Sequence, residues 1–130
     1  MQPSAADGHN PHVPRELEIC CYSVSDAQIA ERFGADRIEL CAGRPEGGTT
    51  ASLGVLRSAI ESLTIPVFPM VRPRGGDFVY DDLEFSAMCD DVRTIAEMGF
   101  RGLVFGILDS SGGVDVGRSA ALLDIARQAN

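Results

Sequence analysis

Residues 34–41 read Gly-Ala-Asp-Arg-Ile-Glu-Leu-Cys, and this stretch decides how the fold is interpreted. Polar and aliphatic side chains alternate through it, so that Arg37, Glu39 and Cys41 fall on one side. Such alternation predicts a β-strand with two unlike faces, because successive side chains of a strand point in opposite directions. One face is expected to pack on helices, while the other carries charge and sulfur.

The segments around this stretch repeat a strand-then-helix order. Strands are predicted at residues 16–22, 36–41, 66–71 and 102–107. A helix that starts around 23–26 and ends at Gly34 follows the first strand, and further helices are predicted at 52–63, 81–98 and 115–129. Helical spacing of apolar residues and capping residues support these assignments. Four successive βα units predict a parallel sheet with right-handed crossovers.

The polar strand face distinguishes between two ways of closing a parallel sheet. Inner strands of an open, doubly wound sheet are apolar on both faces, whereas Glu16, Glu18 and Cys20 line one face of the first strand. That pattern favours the lumen of a TIM (β/α)8 barrel, which takes about 250 residues. We therefore predict a protein of the TIM-barrel family, with about four βα units (a half barrel) at 15–130 after a disordered tail at 1–14.

Composition narrows the functional classes. The chain has a net charge of −8, which argues against nucleic acid or an anionic membrane as partner. No apolar run approaches the roughly 18 residues of a membrane span, and the N-terminus lacks a signal-peptide core. A cytoplasmic protein that does not contact the membrane is expected, and its four cysteines are expected to be reduced thiols.

Two residue types are informative because they are scarce. All eleven basic residues are arginine, which excludes Schiff-base catalysis and a P-loop lysine within this chain. The two histidines, His9 and His12, lie in the predicted tail. A Ser-His-Asp triad and an HExxH zinc site within the folded part are therefore excluded.

The carboxyl ends of barrel strands form the active face of such a fold. That rule brings together Cys20, Tyr22, Glu39, Cys41, Arg72, Arg74 and Asp77. Arg72 and Arg74, followed by Gly75 and Gly76, are interpreted as a clamp for a phosphate or carboxylate, since guanidinium groups bind such oxygens in pairs. The alternative is that both arginines form ion pairs with Glu18, Glu39 or Asp77 and only neutralise a polar lumen.

Cys20 and Cys41 lie near the ends of neighbouring predicted strands and point to the same face as Glu39. Neighbouring strands are about 4.8 Å apart, so two thiols placed in this way could bind one soft metal ion, preferably Cu(I). The alternative is that both are buried cysteines that act as small hydrophobic residues. Cys21 and Cys89 are predicted to be structural.

These segments resemble the CutC family of copper homeostasis proteins. The matching pieces are residues 18–20 (EIC), 23–24 (SV), 34–41 (GADRIELC), 46–49 (EGGT), 65–67 (IPV), 72–78 (RPRGGDF) with Tyr80, and 102–106 (GLVFG). The resemblance implies a TIM barrel and copper binding through Cys20 and Cys41. The family pattern usually has Val-Asp where this chain has Cys21-Tyr22, and it continues through four more βα units.

Three functional hypotheses follow from the sequence. The first is a copper-homeostasis protein that holds Cu(I) at Cys20 and Cys41. The second is a TIM-barrel enzyme of unknown reaction that acts on a small anion, with Glu39 or Asp77 as acid or base. The third is a truncated product with little activity, in which exposed strand edges favour a homo-oligomer.

Overall fold

The computed structural model describes residues 15–129, so the tail predicted at 1–14 lies outside the described residues. Its elements alternate in the predicted order. They are β1 (Glu18–Cys21), α1 (Val24–Arg32), β2 (Arg37–Leu40), a short 3-10 helix (Arg44–Glu46), α2 (Leu53–Ser62), β3 (Val67–Pro69), α3 (Asp82–Glu97) and α4 (Val116–Gln128).

The three strands form a parallel sheet in the order β1-β2-β3. Its register places Cys20 opposite Glu39, and Glu39 opposite Phe68. Sequential strands are thus neighbours, connected by helices that pack on one face of the sheet. The predicted α/β class with a parallel sheet is confirmed, and the half-barrel state stays a prediction.

The prediction of a fourth strand at 102–107 is wrong, because the segment does not form a regular strand. Within residues 15–129 it contributes one parallel bridge, between Met70 and Val104. The Val104 amide donates to Pro69 at 2.9 Å, and the Val71 amide donates to Val104 at 2.7 Å. Glycine weakens strands, and Gly102 lies where an added Cβ would come within 2.8 Å of the Phe68 ring. The segment therefore follows β3 without forming a ladder.

Side-chain caps fix where each α-helix begins. Ser23 accepts from the Asp26 amide, and Ser52 accepts from the Val55 amide. Asp81 and Glu84 form a capping box at the start of α3. Such caps satisfy backbone amides that have no partner inside the helix, which explains why the predicted helix starts agree with the structure to within a residue or two.

The core lies between the sheet and the helices. The aliphatic side of the strands supplies Ile38, Leu40, Val67, Pro69 and Val71, and the helices supply Ala27, Leu56, Ala59, Met88, Val92, Ile95 and Leu122. The opposite side of the sheet is polar: Arg37 forms an ion pair with Glu18 and lies 4.5 Å from the centre of the Phe68 ring. No helix in the described part of the chain is long and apolar enough to cross a membrane.

Candidate functional site

The two cysteines singled out in the sequence meet at the carboxyl ends of β1 and β2. Their sulfur atoms are 3.8 Å apart. Cys20 lies directly opposite Glu39 rather than opposite Cys41, so the two thiols approach along a diagonal. The Cys41 amide donates to the Cys21 carbonyl at 2.9 Å, which extends the ladder past β2 and fixes this arrangement.

Glu39 completes a cluster of three possible metal ligands. One ligand atom from each of Cys20, Glu39 and Cys41 lies within 4.8 Å of the others. Cys41 is buried, whereas Cys20 is exposed. The cluster thus offers two soft sulfur donors and one carboxylate at a position that solvent reaches from the Cys20 side.

Both thiols are protonated at neutral pH in the metal-free protein. Burial raises the pKa of Cys41 to about 12, and the neighbouring Cys20 adds to that rise. Cys20 is exposed as a residue, but its pKa is also raised, first because the surrounding protein partly desolvates its sulfur and then by its hydrogen bond with Glu39. Since the thiolate is both the nucleophile and the metal ligand, a ligand that binds here has to displace protons.

Two further residues enclose the cluster. Gly48 is buried, with φ at 103°, and an added Cβ would come within 3.2 Å of the Cys41 sulfur. A hydrogen bond with Cys20 raises the pKa of the Tyr22 phenol. Sequence reasoning placed Tyr22 at this face but gave Gly48 no role at the cluster. The position of Gly48 over Cys41 depends on folding of the loop back onto β2, which no local sequence pattern reveals.

Arg72 holds that loop in place. Its side chain is buried, and its guanidinium group donates to the carbonyl oxygens of Glu46 at 2.8 Å, Gly48 at 2.9 Å and Gly76 at 2.7 Å. The Phe78 ring lies 4.6 Å from the guanidinium carbon. Within residues 15–129 only Nε of this group is buried without a hydrogen-bond partner. Arg72 therefore connects the loop over Cys41 to the segment that follows β3.

The guanidinium group of Arg74 also binds oxygen atoms of the protein. It forms ion pairs with Asp77, at 3.1 Å, and with Glu84, and it donates to the Val79 carbonyl at 2.8 Å. The pairing with Asp77 is one of those considered from the sequence. Glu84 was missed, although its place in a capping-box pattern at the start of α3 was a signal that it lies near the loop.

Gly75, Gly76 and Asp77 complete the predicted anion clamp. Gly75 approaches Glu46 so closely that an added Cβ would come within 2.9 Å, and its amide donates to that carboxylate at 3.2 Å. Hydrogen bonds from the Val79 amide and Arg74 hold the pKa of Asp77 below its usual value. An anion site at Arg72 and Arg74, and acid or base roles for Glu39 and Asp77, stay predictions.

A comparison with known protein families covers the whole described part of the chain. Residues 15–129 match the profile of the CutC family. The chain belongs to the CutC family. The CutC family protein of Klebsiella pneumoniae is 57% identical over 110 residues, which are 85% of this chain and 44% of that protein. The one from Photorhabdus laumondii is 56% identical over 111 residues, or 85% of this chain and 45% of that protein.

Solved structures agree with the fold of this CutC chain. The copper homeostasis protein CutC of Streptococcus agalactiae superposes with a TM-score of 0.81 at 36% identity, over 86% of this chain and 55% of that one. Thiamine phosphate pyrophosphorylase from Pyrococcus furiosus superposes with a TM-score of 0.55 at 25% identity, over 86% of this chain and 48% of that one. The chain spans less than half the length of the curated CutC relatives from Klebsiella and Photorhabdus.

The unequal exposure of the two thiols has a measurable consequence. We expect iodoacetamide to modify Cys20 at least about tenfold faster than Cys41, because Cys41 is buried and its pKa is raised to about 12. Timed alkylation at neutral pH, followed by peptide mass spectrometry, measures both rates. Alkylation in denaturant serves as the control, since there the two rates should converge. Equal rates in the native protein would contradict the burial of Cys41.

Proposed function

We propose that this CutC chain is a cytoplasmic copper-homeostasis protein that binds Cu(I) through Cys20 and Cys41. The observation that carries the proposal is the 3.8 Å separation of the two sulfur atoms on the polar face of the sheet. The description of the Streptococcus agalactiae relative as a copper homeostasis protein supports it. In this role copper is cargo that the protein binds and releases.

The donor set suits a soft ion. Thiolates favour Cu(I) over hard cations such as Mg²⁺ or Ca²⁺, and the paired sulfurs of Cys20 and Cys41 supply two of them. Glu39 lies close enough to provide a third donor. Exposed Cys20 is the position at which an arriving ion makes its first contact, and buried Cys41 then holds it away from water.

Copper affinity is expected to depend steeply on pH. Both thiols have raised pKa values, so they are protonated across the neutral range and each must lose its proton to bind the metal. Affinity should rise about tenfold per pH unit for each proton displaced, hence up to about 100-fold per unit for the pair. Anaerobic titration of the reduced protein against a Cu(I) chelator, between about pH 6 and about pH 8, measures this slope.

The same titration tests the proposal itself. We expect one Cu(I) ion per chain, with release of protons that an unbuffered measurement can count. A pH-independent affinity would show that the two thiols are not the ligands. Absence of binding at every pH would overturn the proposed function.

The hypothesis of an anion-binding enzyme receives less support from the geometry. Most N–H groups of Arg72 and Arg74 already bind carbonyl or carboxylate oxygens of the protein. Asp77 carries a lowered pKa, which does not suit an acid that works near neutral pH. We therefore assign these residues to loop structure, and we propose copper binding as the function.

A further inference from the structure

The placement of Cys20 and Cys41 also suits a reaction that involves no metal. Their sulfur atoms are 3.8 Å apart, whereas a disulfide bond joins two sulfur atoms at about 2.05 Å. Rotation of the two side chains, with a small shift of the strand ends, has to close a gap of less than about 2 Å. The two sulfurs therefore need only a short approach to become bonded to each other.

The other two cysteines of the chain lie apart from this pair. Cys21 follows Cys20 in β1 and points to the opposite side of the strand, where it is 4% exposed and its sulfur lies 3.8 Å from the Ile19 carbonyl oxygen. Cys89 is a partly buried residue of α3, which packs against α4. Oxidation within one chain is therefore expected to select Cys20 and Cys41.

We propose that Cys20 and Cys41 form a reversible disulfide that switches off metal binding at this site. The part that concerns metal rests on the proposed function, since a disulfide offers no thiolate to Cu(I). Disulfides of cytosolic proteins are usually transient and catalytic or redox-sensing. The same two thiols thus hold copper under reducing conditions and release it when they are oxidised.

Strand register makes this disulfide strained and hence easy to reduce. Cys20 lies opposite Glu39, so Cys41 is two positions further along the neighbouring strand. The hydrogen bond from the Cys41 amide to the Cys21 carbonyl, at 2.9 Å, holds the backbone in that register. A bond along this diagonal has to draw the strand ends together against the ladder. Strained disulfides are reduced more readily than relaxed ones, and they are the labile, regulatory type.

The unequal burial of the two thiols sets the order of the steps. Cys20 is exposed and meets the oxidant first, whereas Cys41 is only 1% exposed. The oxidant class is a small disulfide such as glutathione disulfide. The Cys20 thiolate attacks one of its sulfur atoms, which forms a mixed disulfide and releases one glutathione thiolate.

Cys41 completes the reaction from its buried position. Its sulfur loses a proton to solvent and attacks the Cys20 sulfur, which expels the second glutathione thiolate. Two protein thiols are thereby oxidised to one disulfide, and one glutathione disulfide is reduced to two thiols. The two protons that the protein thiols lose pass through solvent to the two glutathione thiolates, so that atoms and electrons balance.

Mass spectrometry of the oxidised chain tests the disulfide without copper. The reduced protein is incubated with glutathione disulfide at about pH 8, where more of each thiol is ionised, and is then alkylated with iodoacetamide in denaturant. We expect a peptide pair joined through Cys20 and Cys41, with Cys21 and Cys89 alkylated. Dithiothreitol added to the folded, oxidised protein should restore both thiols.

Three variants test the order of the steps. Cys41→Ser should accumulate glutathione on Cys20, because the resolving thiol is absent. Cys20→Ser should take up glutathione at least about tenfold more slowly, because the remaining thiol of the pair is buried. Cys89→Ser is the matched control and should form the native link at the native rate. Circular dichroism checks that each variant keeps its helical content.

Copper binding by the two redox forms tests the switch. In anaerobic competition with a Cu(I) chelator, the reduced chain should bind one ion, and the oxidised chain should bind at least about 100-fold more weakly because both soft ligands are lost. A chain that forms the disulfide but binds no Cu(I) when reduced would overturn the proposed function and the switch, while the disulfide itself would be established.

Other outcomes would overturn the disulfide. One is a native chain that retains glutathione on Cys20 without a link to Cys41. Another is a link from Cys20 to Cys21 or between two chains, which would show that the 3.8 Å contact does not direct oxidation. A link to Cys41 that dithiothreitol reduces only after unfolding would contradict a reversible switch. Equal copper affinity of the reduced and oxidised chains would separate the disulfide from metal binding and overturn the switch.

Discussion

Affinity for Cu(I) is expected to fall by on the order of 100-fold or more when either Cys20 or Cys41 is replaced by serine. Each change removes one of two soft donors whose sulfur atoms are 3.8 Å apart, and a hydroxyl group is a poor ligand for Cu(I). Loss of a residue that only orients a metal ligand costs about 10–100-fold in affinity, so loss of a ligand should cost at least as much. Competition with a Cu(I) chelator under anaerobic conditions measures the change.

Cys89→Ser is the matched control for both variants. Cys89 is a partly buried thiol on α3, far along the chain from the cluster, and its replacement should leave copper affinity within about twofold of the native value. Glu39→Gln should have a smaller effect than either ligand variant, since an amide oxygen keeps a neutral donor in place. Native affinity in Cys41→Ser would remove the paired-thiol site from consideration.

Replacing Arg72 by methionine is expected to lower the free energy of unfolding by about 3 kcal/mol. The buried guanidinium group donates to three carbonyl oxygens, and its removal leaves these acceptors without their donor at about 1 kcal/mol or more each. Urea denaturation followed by circular dichroism measures the loss. Arg57→Met is the control, because Arg57 is exposed on α2 and surface substitutions usually change stability by less than about 0.5 kcal/mol.

The same variant should change the thiol site. Arg72 binds the Gly48 carbonyl, and Gly48 covers the Cys41 sulfur. We expect Cys41 to be alkylated several-fold faster in Arg72→Met than in the native protein, while the rate at exposed Cys20 stays the same. Unchanged alkylation of Cys41 together with a normal urea midpoint would show that Arg72 does not hold the loop. The rates at Cys20 separate this local effect from general unfolding.

Local patterns were sufficient for most of the architecture. Alternation through 34–41 predicted a strand with one polar face, and the structure places Ile38 and Leu40 in the core and Glu39 on the opposite side. Helix starts followed from Ser23, Ser52 and Asp81, because a cap acts on amides only two or three residues away. The prediction of a regular strand at 102–107 failed because strand pairing depends on residues that are distant in the chain. The close approach of Gly102 to the Phe68 ring is one such contact, and it cannot be seen in the local sequence.

The sequence by itself determined the α/β class, the polar strand face and the candidates Cys20, Cys41 and Glu39, since strand periodicity is a local property of the backbone. Only the tertiary structure decided that the two sulfurs meet along a diagonal and that Arg72 supports the loop above Cys41. Strand register and two of the three carbonyl partners of Arg72 depend on packing between residues more than twenty positions apart. The sequence does not distinguish an arginine that can bind a ligand from one whose N–H groups already bind oxygen atoms of the protein. The reason is that the hydrogen-bond partners of a buried polar group are set by the residues that surround it in the folded chain.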